Sequence, residues 1–377
     1  MIRVGVITAT RAEYGLLKPV ILELNKNKNI DLKLIVSGTH LSKRFGYTIK
    51  EISADKIKIY KKIDIIIENN NVIDIFNNAV FKLNSLLKKN KFDTIILLGD
   101  RYETLGFAIA CMFNNVPICH LCGGETTEGA IDEAIRHSIT KMSYLHFTSC
   151  DEYRKRVIQL GEDPKRVFNV GSTGVENVVN TKIFSKKELS KIIGFELKKY
   201  FVVTYHPVTL KDNNLNDFKN LLSALDKFND YQVIFTKSNA DSGGSEINKL
   251  IDKYVLSHSN SKCFYSLGIK KYFSLVKYSS AVIGNSSSGL TEVPALLVPT
   301  VNIGDRQRGR IKVKSVYDCG YSVKSIASAI SRVISSNKKI VRADIPFYKK
   351  DTSKNIAKII SKVFGKNINI MKKFYDL

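Results

Sequence analysis

Short apolar runs alternate with longer amphipathic stretches along this chain. In the first half the runs cover residues 3–9, 31–37, 61–67, 94–98, 117–122, 145–149 and 167–171, and in the second half residues 200–205, 231–236, 262–265, 281–283 and 300–303. Between the runs, apolar residues recur at helical spacing, as in the stretch that contains Leu105, Ile109 and Met112. This alternation of buried strands with helices predicts an α/β fold built on doubly wound parallel sheets.

The length of the chain sets the expected number of domains. At 377 residues it accommodates two domains with separate cores. We predict two Rossmann-like domains facing a cleft, the first at residues 1–175 and the second at 176–350, with a polar, lysine-rich crossing near residues 180–199. Residues 351–377 contain an amphipathic helix that is expected to pack back on the first domain.

Two acidic residues of the first half follow predicted strands, and a third begins the next predicted helix. Asp100 comes after the strand at 94–98, Glu125 after the next strand, and Asp132 at the start of a helix. Taken singly, the aspartates would be helix caps and the glutamate a solvated loop residue. Because the carboxyl ends of parallel strands share an edge at which ligands bind, we expect the three to form a site for acid–base chemistry. Arginines and histidines of the same stretch would support it: Arg101, His120, Arg136 and His137.

A glycine- and serine-rich turn at residues 284–289 is typical of an anion site. Small residues at the start of a helix, here predicted at 290–297, leave backbone N–H groups free to bind a phosphate. Glu292 in that helix would accept hydrogen bonds from a ribose diol. The alternative is a plain serine-rich helix cap, and the missing lysine of a phosphate-binding loop disfavours an ATPase. Other candidate residues follow predicted strands: Arg11, His40, His206, Asn239, Asp241 and Arg306.

The net charge of +24 raises the question of a nucleic-acid partner. A nucleic-acid binder needs a concentrated basic face with interleaved aromatic residues. The lysines here are instead spread along the chain and mixed with asparagine and isoleucine. We therefore predict a solvated lysine-rich surface with a mild attraction for small anions, and neither a nucleic-acid nor a membrane partner.

Six scattered cysteines are typical of reduced thiols and predict a cytoplasmic protein. The first strand begins at once, so no signal peptide is expected. The run Cys119-His120-Leu121-Cys122 looks like a metal clip, but strand alternation would point Cys119 away from the other two, so no metal site is predicted. A single glycine follows the first strand, which excludes the dinucleotide fingerprint.

Seven short motifs lie in order between residues 10 and 310. They are Thr10-Arg11-Ala12-Glu13, Gly99-Asp100-Arg101-Tyr102-Glu103, His120-x-x-Gly123-Gly124-Glu125, Ile131-Asp132-Glu133-x-Ile135-Arg136-His137, His206-Pro207, Asn285-Ser286-Ser287-Ser288-Gly289 and Gly304-Asp305-Arg306-Gln307-x-Gly309-Arg310. Together they resemble the hydrolysing UDP-N-acetylglucosamine 2-epimerases. The resemblance is nearest to the bacterial branch that supplies N-acetylmannosamine for sialic acid synthesis.

The resemblance implies a glycosyltransferase-B (GT-B) architecture and assembly as a homodimer or homotetramer. It implies the conversion of UDP-N-acetylglucosamine and water into N-acetylmannosamine and UDP, by anti elimination to 2-acetamidoglucal and hydration, with no cofactor and no metal. By the same resemblance, the catalytic residues are Asp100, Glu125, Asp132 and His206. The residues it places on UDP are Arg11, Arg101, Asn239, Asp241, Ser286, Ser287, Gly289, Glu292 and Arg306, and the supporting residues are His40, His120, Arg136 and His137.

Two positions depart from the family's pattern. Cys122 stands where other branches carry a glutamate, and a thiol replaces a carboxylate base only if its pKa is strongly lowered. Leu16 stands where relatives often carry a lysine. The alternative functions are the same reaction on UDP-2,4-diacetamido-2,4,6-trideoxyglucose, as in legionaminic-type acid synthesis, the non-hydrolysing epimerase, and a retaining GT-B glycosyltransferase.

Overall fold

The computed structural model describes residues 1–66, 71–128, 130–208, 214–238, 243–265, 267–336 and 340–377. The chain divides into two compact units. The first consists of Met1–Glu125, Ile131–Asn177 and Lys349–Leu377, and the second of Thr126–Ala130 and Val178–Tyr348. Each unit contains one sheet in which all paired strands are parallel, so the predicted pair of parallel α/β domains is confirmed.

The first unit is built on a seven-stranded sheet. Its strands are β1 (Ile2–Thr8), β2 (Ile30–Ser37), β3 (Ile59–Ile63), β4 (Thr94–Leu98), β5 (Ile118–Leu121), β6 (Leu145–Thr148) and β7 (Val167–Asn169). Their order in the sheet is β3-β2-β1-β4-β5-β6-β7. The helices that accompany them are α1 (Arg11–Lys26), α2 (Ile49–Ala54), α3 (Val72–Leu87), α4 (Tyr102–Phe113), α5 (Asp132–Met142), α6 (Asp151–Gln159) and α7 (Thr173–Asn180).

The second unit is built on a six-stranded sheet. Its strands are β8 (Tyr200–Thr204), β9 (Gln232–Thr236), β10 (Ser261–Phe264), β11 (Ala281–Gly284), β12 (Thr300–Ile303) and β13 (Val316–Cys319). Their order is β10-β9-β8-β11-β12-β13. Its helices are α8 (Lys186–Ile193), α9 (Asn214–Leu225), α10 (Gly244–Ser257), α11 (Gly268–Lys277), α12 (Glu292–Ala295) and α13 (Val323–Ser335).

The last helix, α14 (Thr352–Phe364), belongs to the first unit. Its apolar residues Ile356 and Ile360 are buried in the same cluster as Leu17 and Leu24 of α1. Helix α1 itself begins at Arg11. The reason is a capping box, in which the Thr10 hydroxyl accepts from the Glu13 N–H and the Glu13 carboxylate accepts from the Thr10 N–H.

The second unit differs from the prediction at two places. The predicted helix at 290–297 is a 3₁₀ turn at Ser287–Gly289 followed by the four-residue α12. A regular helix over that range fails because Pro294 has no N–H to donate and Leu297 adopts a positive φ of 63°. Strand β13 was not predicted at all, because its four residues are only partly buried or exposed and carry no continuous apolar run.

The fully buried carboxylate of Glu162 binds three basic side chains of the first unit. Its oxygens accept hydrogen bonds from Lys141 Nζ at 2.7 Å, from His146 Nε2 at 3.0 Å and from Lys372 Nζ at 2.8 Å. Burial alone would raise the pKa of Glu162, but the hydrogen bonds from His146 and the two lysines outweigh it and hold the pKa at about 2. The ionised form is therefore the stabilising one.

We expect Glu162→Gln to lower the free energy of unfolding at pH 7 by roughly 2–4 kcal/mol, because two lysines and a histidine lose a buried anionic partner. Since the folded pKa lies below that of the unfolded chain, the stabilisation is complete above about pH 5 and is lost as the pH falls toward 2. Thermal unfolding of wild type and variant at several pH values measures this difference. The exposed pair Glu23–Lys26 supplies the control, Glu23→Gln, with an expected change below about 1 kcal/mol. A difference between wild type and Glu162→Gln that stays constant from pH 7 to pH 2 would contradict the assignment.

Candidate active site

In both sheets the predicted site residues follow strands next to the point where the strand order reverses. The reversal lies between β1 and β4 in the first sheet and between β8 and β11 in the second. Ligands of such sheets bind beyond the carboxyl ends of the strands at this point. Arg11 and Asp100 follow β1 and β4, while His206 and Ser286 follow β8 and β11. Each sheet therefore carries candidate residues at its ligand-binding edge.

Arg136 on α5 is the centre of the acidic cluster in the first unit. Its side chain is 1% exposed. The guanidinium forms an ion pair with Asp100 and donates to the Glu125 carbonyl oxygen at 2.8 Å and to Glu133 Oε2 at 2.9 Å. Burial alone would lower the pKa of Arg136, but the charges of Asp100, Glu125 and Glu133 raise it. Arg136 thus stays charged and holds Asp100 and the backbone of Glu125 in fixed positions.

Asp132 begins α5 and is half-buried. Burial raises the pKa of its carboxyl, and the charge of Asp100 raises it further. Asp100 itself is paired with Arg136. A carboxyl group whose pKa is raised in this way is suited to hold and donate a proton in acid–base chemistry.

The histidines of the first unit are buried supports. His120 Nε2 donates to the Gly99 carbonyl oxygen at 2.8 Å, since that oxygen only accepts, and Nδ1 lies 3.2 Å from the Thr140 hydroxyl. Burial lowers the pKa of His120 to about 3, so the ring is neutral and fixes the turn before Asp100. His40 is also fully buried, between the hydroxyls of Thr8 at 3.0 Å and Thr48 at 2.7 Å. Burial lowers its pKa to about 4.

The loop after β5 carries Glu125 and requires a glycine beside it. Gly124 has a φ of +78°, and a Cβ there would lie 2.4 Å from the Tyr153 carbonyl oxygen. The Ser149 hydroxyl donates to Glu125 Oε1 at 3.2 Å. Cys122, three residues earlier, has a φ of +65° and is partly exposed. His137 Nε2, on α5, lies 3.2 Å from Glu133 Oε1, so this histidine shares a carboxylate with Arg136.

Two buried glutamates near this edge were absent from the predicted site. Glu13 accepts from the Ala9 N–H at 2.6 Å, and Glu103 accepts from Arg101 Nε at 2.6 Å. Burial raises the pKa of Glu13 to about 8, with a further contribution from Glu103. The Thr10-x-x-Glu13 spacing is the sequence signal that identifies the first of them. Glu103 holds the guanidinium of Arg101, a predicted UDP-binding residue.

Asn285 joins three loops of the second unit and was also missed, although it lies in one of the motifs. Its side chain forms two hydrogen bonds with the backbone of His206. Oδ1 accepts from the His206 N–H at 2.8 Å, and Nδ2 donates to the His206 carbonyl oxygen at 2.7 Å. Its own carbonyl oxygen accepts from Arg306 Nη1 at 3.1 Å and Gln307 Nε2 at 2.9 Å. The ends of β8, β11 and β12 are fixed to one another through this residue.

His206 is a neutral imidazole. Burial lowers its pKa to about 3, and the charge of Arg306 contributes. Its Nδ1 lies 3.3 Å from the Ser238 hydroxyl. His206 therefore offers a neutral hydrogen-bonding ring at this edge rather than a positive charge.

The glycine–serine turn, residues 284–289, is the remaining part of the second cluster. Ser286 precedes the 3₁₀ turn, Ser288 Oγ lies 3.3 Å from the Tyr272 hydroxyl, and Glu292 contacts the Thr291 hydroxyl. Because α12 is only four residues long, it lacks the dipole of a long helix, and the groups that this turn offers a ligand are its backbone N–H groups and hydroxyls. Asn239 and Asp241 lie outside the described residues.

The three arginines after β12 do not form one cluster. Arg306 bonds to Asn285, whereas Arg310 Nε donates to the Thr126 carbonyl oxygen at 2.8 Å and Arg308 Nε lies 3.4 Å from Glu128 Oε2. Arg306 is thus the member placed with the glycine–serine turn.

Within the described ranges, no group of three or more His, Cys, Asp or Glu side chains is arranged to hold a metal ion. Nor does that part of the chain contain a helix both long and apolar enough to cross a bilayer.

Comparison with known proteins places this arrangement in a family. Residues 22–361 match the family model described as UDP-N-acetylglucosamine 2-epimerase. A Campylobacter jejuni protein, GDP/UDP-N,N'-diacetylbacillosamine 2-epimerase (hydrolyzing), is 43% identical over 322 residues, covering 84% of each chain. The Escherichia coli polysialic acid biosynthesis protein P7 is 41% identical over 380 residues, covering 98% of this chain and 96% of its own.

The fold has solved counterparts at much lower sequence identity. The crystal structure of the Neisseria meningitidis UDP-GlcNAc 2-epimerase bound to UDP-GlcNAc matches with a TM-score of 0.82 at 18% identity, covering 96% of this chain and 100% of that one. At this identity the likeness concerns the fold alone. The family model, by contrast, extends over most of the residues that carry the two clusters, from Asp100 and Arg136 to Asn285 and Arg306. By that match, this chain belongs to the UDP-N-acetylglucosamine 2-epimerase family.

Proposed function

We propose that the protein is a hydrolysing 2-epimerase that converts UDP-N-acetylglucosamine and water into N-acetylmannosamine and UDP. The observation that carries the proposal is the acidic cluster in which Asp100 is ion-paired with the buried Arg136 and acts electrostatically on Asp132, whose pKa is raised by burial and by the Asp100 charge. The relative at 43% identity is named as a hydrolysing 2-epimerase, which supports this reaction class, and the relative at 41% identity is named as a polysialic acid biosynthesis protein, which supports a role in making sialic acid.

The reaction needs both an acid and a base. The C2 proton of the sugar is weakly acidic, so its removal by a carboxylate is coupled to cleavage of the C1–O bond and departure of UDP. The product of this anti elimination is 2-acetamidoglucal. Water then adds its oxygen to C1 and gives up a proton to a base, while a carboxylic acid returns a proton to C2 from the opposite face. Asp100, Glu125 and Asp132 are the residues we assign to these transfers.

The second unit binds the UDP portion in this proposal. Negative charge grows on the leaving β-phosphate, and positioned donors stabilise it. Arg306 supplies the positive charge, the turn at 284–289 supplies N–H and hydroxyl donors, and His206 supplies a neutral donor. Glu292 accepts from the ribose diol. The reaction takes place in the cytoplasm, needs no cofactor, and is carried out by a homodimer or homotetramer.

Incubation with UDP-N-acetylglucosamine in deuterium oxide tests the reaction. We expect release of UDP together with N-acetylmannosamine that carries deuterium at C2, because the proton on C2 is replaced from solvent. A product that remains linked to UDP would identify the non-hydrolysing epimerase. Transfer of the sugar with its C2 configuration and hydrogen unchanged would identify a glycosyltransferase.

A second substrate is favoured by a specific observation. The relative at 43% identity is named for N,N'-diacetylbacillosamine, the sugar that carries acetamido groups at C2 and C4. We therefore compare kcat/KM for UDP-N-acetylglucosamine with that for UDP-2,4-diacetamido-2,4,6-trideoxyglucose. We expect the former to be the better substrate. A tenfold or greater preference for the latter, about 1.4 kcal/mol of discrimination, would reassign the substrate and leave the reaction class intact.

Asn285→Ala is expected to weaken UDP binding at least about tenfold, because the His206 peptide loses both bonds that fix it and one buried pair of backbone groups is left unsatisfied. Isothermal titration with UDP measures the change. The control is Asn260→Ala, which removes an amide bond to the Tyr231 carbonyl in the same unit, at the start of β10 rather than beyond the carboxyl ends of the strands. Equal loss of UDP affinity in both variants would show that the effect is general destabilisation.

A further inference from the structure

A cavity of about 690 Å³ lies in the first unit, beside β7, the last strand of the seven-stranded sheet. It is lined by residues of α6, of β7 and of the start of α14, and we name it the α6–α14 cavity. Strands β5 and β6 separate β7 from β4, which places the cavity roughly 14 Å from β4 at the usual strand spacing. None of the candidate active-site residues lines it. Its volume is typical of a pocket for a small molecule.

Positive charge dominates the walls of the α6–α14 cavity. Its one acidic residue is Asp151, and its basic residues are Arg154, Lys165, Lys349, Lys350 and Lys358. Among the described residues, none of the four lysine side chains has an ion-pair or hydrogen-bond partner. Elsewhere in the same unit lysines are neutralised, as Lys18 is by Asp55 and Lys141 by Glu162. A concave surface lined by one sign of charge concentrates the electric field and attracts ions of the opposite sign.

The guanidinium of Arg154 is held in place at this cavity. Its Nε donates to the Val167 carbonyl oxygen at 2.9 Å, and its Nη2 donates to the Pro164 carbonyl oxygen at 3.1 Å. Within the part of the chain that the structure describes, Nη1 has no partner, so its N–H groups are available to an anion. Because the side chain is already ordered, binding through it loses little conformational entropy.

The turn before α14 is also fixed against the end of β7. The Thr352 hydroxyl donates to the Val170 carbonyl oxygen at 2.8 Å. A Cβ at Gly171, which has a φ of +86°, would lie 2.8 Å from Lys349 Cβ, so the turn packs directly on the glycine. The backbone that carries two of the cavity's lysines is therefore positioned before any ligand binds.

Part of the cavity wall is apolar. Pro164, Phe168 and Ile359 line it, and each is partly exposed. A ring system packs against such a surface while charged groups attached to it reach the basic residues. Free phosphate would not use this wall, and a nucleic acid or an anionic membrane binds to an extended basic face rather than to a closed space of this volume.

We propose that the α6–α14 cavity binds a small polyphosphate attached to a ring, the chemical class of the nucleoside triphosphates. The phosphate groups contact cations of separate elements, Arg154 on α6, Lys349 before α14 and Lys358 on α14, and the ring packs on Phe168. This second site lies in the first unit, whereas the proposed UDP-binding residues around the turn at 284–289 lie in the second. The inference does not rest on the proposed reaction.

Isothermal titration with ATP as the probe, without divalent metal ions, tests the site. We expect wild type to bind ATP with a Kd below about 1 mM. Lys349→Gln combined with Lys358→Gln should weaken binding at least about tenfold, because two charge-assisted contacts are lost. The control is Lys354→Gln combined with Lys362→Gln, which removes the same charge from exposed positions of α14 outside the cavity. Its affinity should stay within about twofold of wild type.

Absence of ATP binding to wild type would overturn the proposal, and so would wild-type affinity in the cavity variant, the result expected if ATP binds only in the second unit. Equal losses in the two double variants would show that the net charge of the chain, and not the cavity, attracts ATP.

Titration with inorganic tripolyphosphate tests the ring. We expect at least about fivefold weaker binding than that of ATP, because the apolar wall then has no partner. Equal affinity would overturn the assignment of a ring-bearing ligand. Thermal unfolding of the variants checks that the exposed substitutions leave the fold intact. Since no UDP-sugar is turned over in these titrations, failure of this inference and failure of the proposed reaction are separate results.

Discussion

Replacing Asp132 by asparagine is expected to lower turnover of the UDP-sugar by about 10²–10⁴-fold while leaving UDP affinity within about threefold. Asparagine preserves the shape of the side chain and removes its ability to donate or accept the transferred proton. Because burial and Asp100 raise the pKa of Asp132, the wild-type side chain retains its proton at a higher pH than an ordinary aspartate. Steady-state assays of UDP release across pH 5–9 measure the turnover and its pH dependence, and inhibition by added UDP measures the UDP affinity. Chromatography detects any accumulated 2-acetamidoglucal.

The control for this variant is Glu133→Gln on the neighbouring position of α5. Glu133 Oε2 accepts from Arg136 Nη1 at 2.9 Å, but Glu133 is not among the residues assigned to proton transfer. We expect Glu133→Gln to keep at least about a tenth of the activity, which corresponds to the loss of one partly exposed interaction. Asp132→Asn with near wild-type turnover, or equal losses in the two variants, would exclude Asp132 from the chemistry.

Gly284→Ala is expected to prevent the second unit from folding normally. The glycine ends β11 with a φ of +144°, and a Cβ there would lie 1.8 Å from the Thr204 carbonyl oxygen of β8. That separation is far inside van der Waals contact, and the two strands cannot part without breaking their ladder. We expect a loss above about 4 kcal/mol, in the range reserved for severe overpacking or backbone strain. Soluble yield and thermal unfolding measure it.

Gly268→Ala is the matched control for this effect. It lies in the same unit, has a positive φ of 67°, and has no atom within 4 Å of the added Cβ. The cost is therefore that of the backbone conformation alone, about 1–2 kcal/mol. Similar stability of the two variants would mean that β8 and β11 tolerate separation and that the close approach is not structurally required.

The fold could be predicted because its strands are buried in continuous apolar runs. The predicted strands at 94–98 and 300–303 agree with β4 and β12 at both ends. Strand β13 and the breakdown of the helix at 290–297 could not be read from apolar periodicity. In the first case the residues are only partly buried or exposed, and in the second the interruption depends on Pro294 and the positive φ of Leu297.

The residue types of the candidate site could be predicted, but the ion pairs and hydrogen bonds between them could not. Placing Asp100 after a strand and Asp132 at the start of a helix required only the alternation of elements. That Arg136 is buried and paired with Asp100, 36 positions away, depends on how the sheet brings β4 and α5 together. The hydrogen bonds between Asn285 and His206 join residues 79 positions apart, and no local sequence pattern encodes such a pairing. The positions of Asn239 and Asp241 stay predictions.

The return of α14 to the first unit has a consequence for biosynthesis. The segment that covers α1, with Ile356 and Ile360, leaves the ribosome only after all of residues 178–348. The second unit is therefore complete in the nascent chain while the first still exposes the apolar side of α1 to water. During this interval of translation we expect the first unit to be incompletely packed, and therefore more prone to chaperone binding and aggregation than the finished chain.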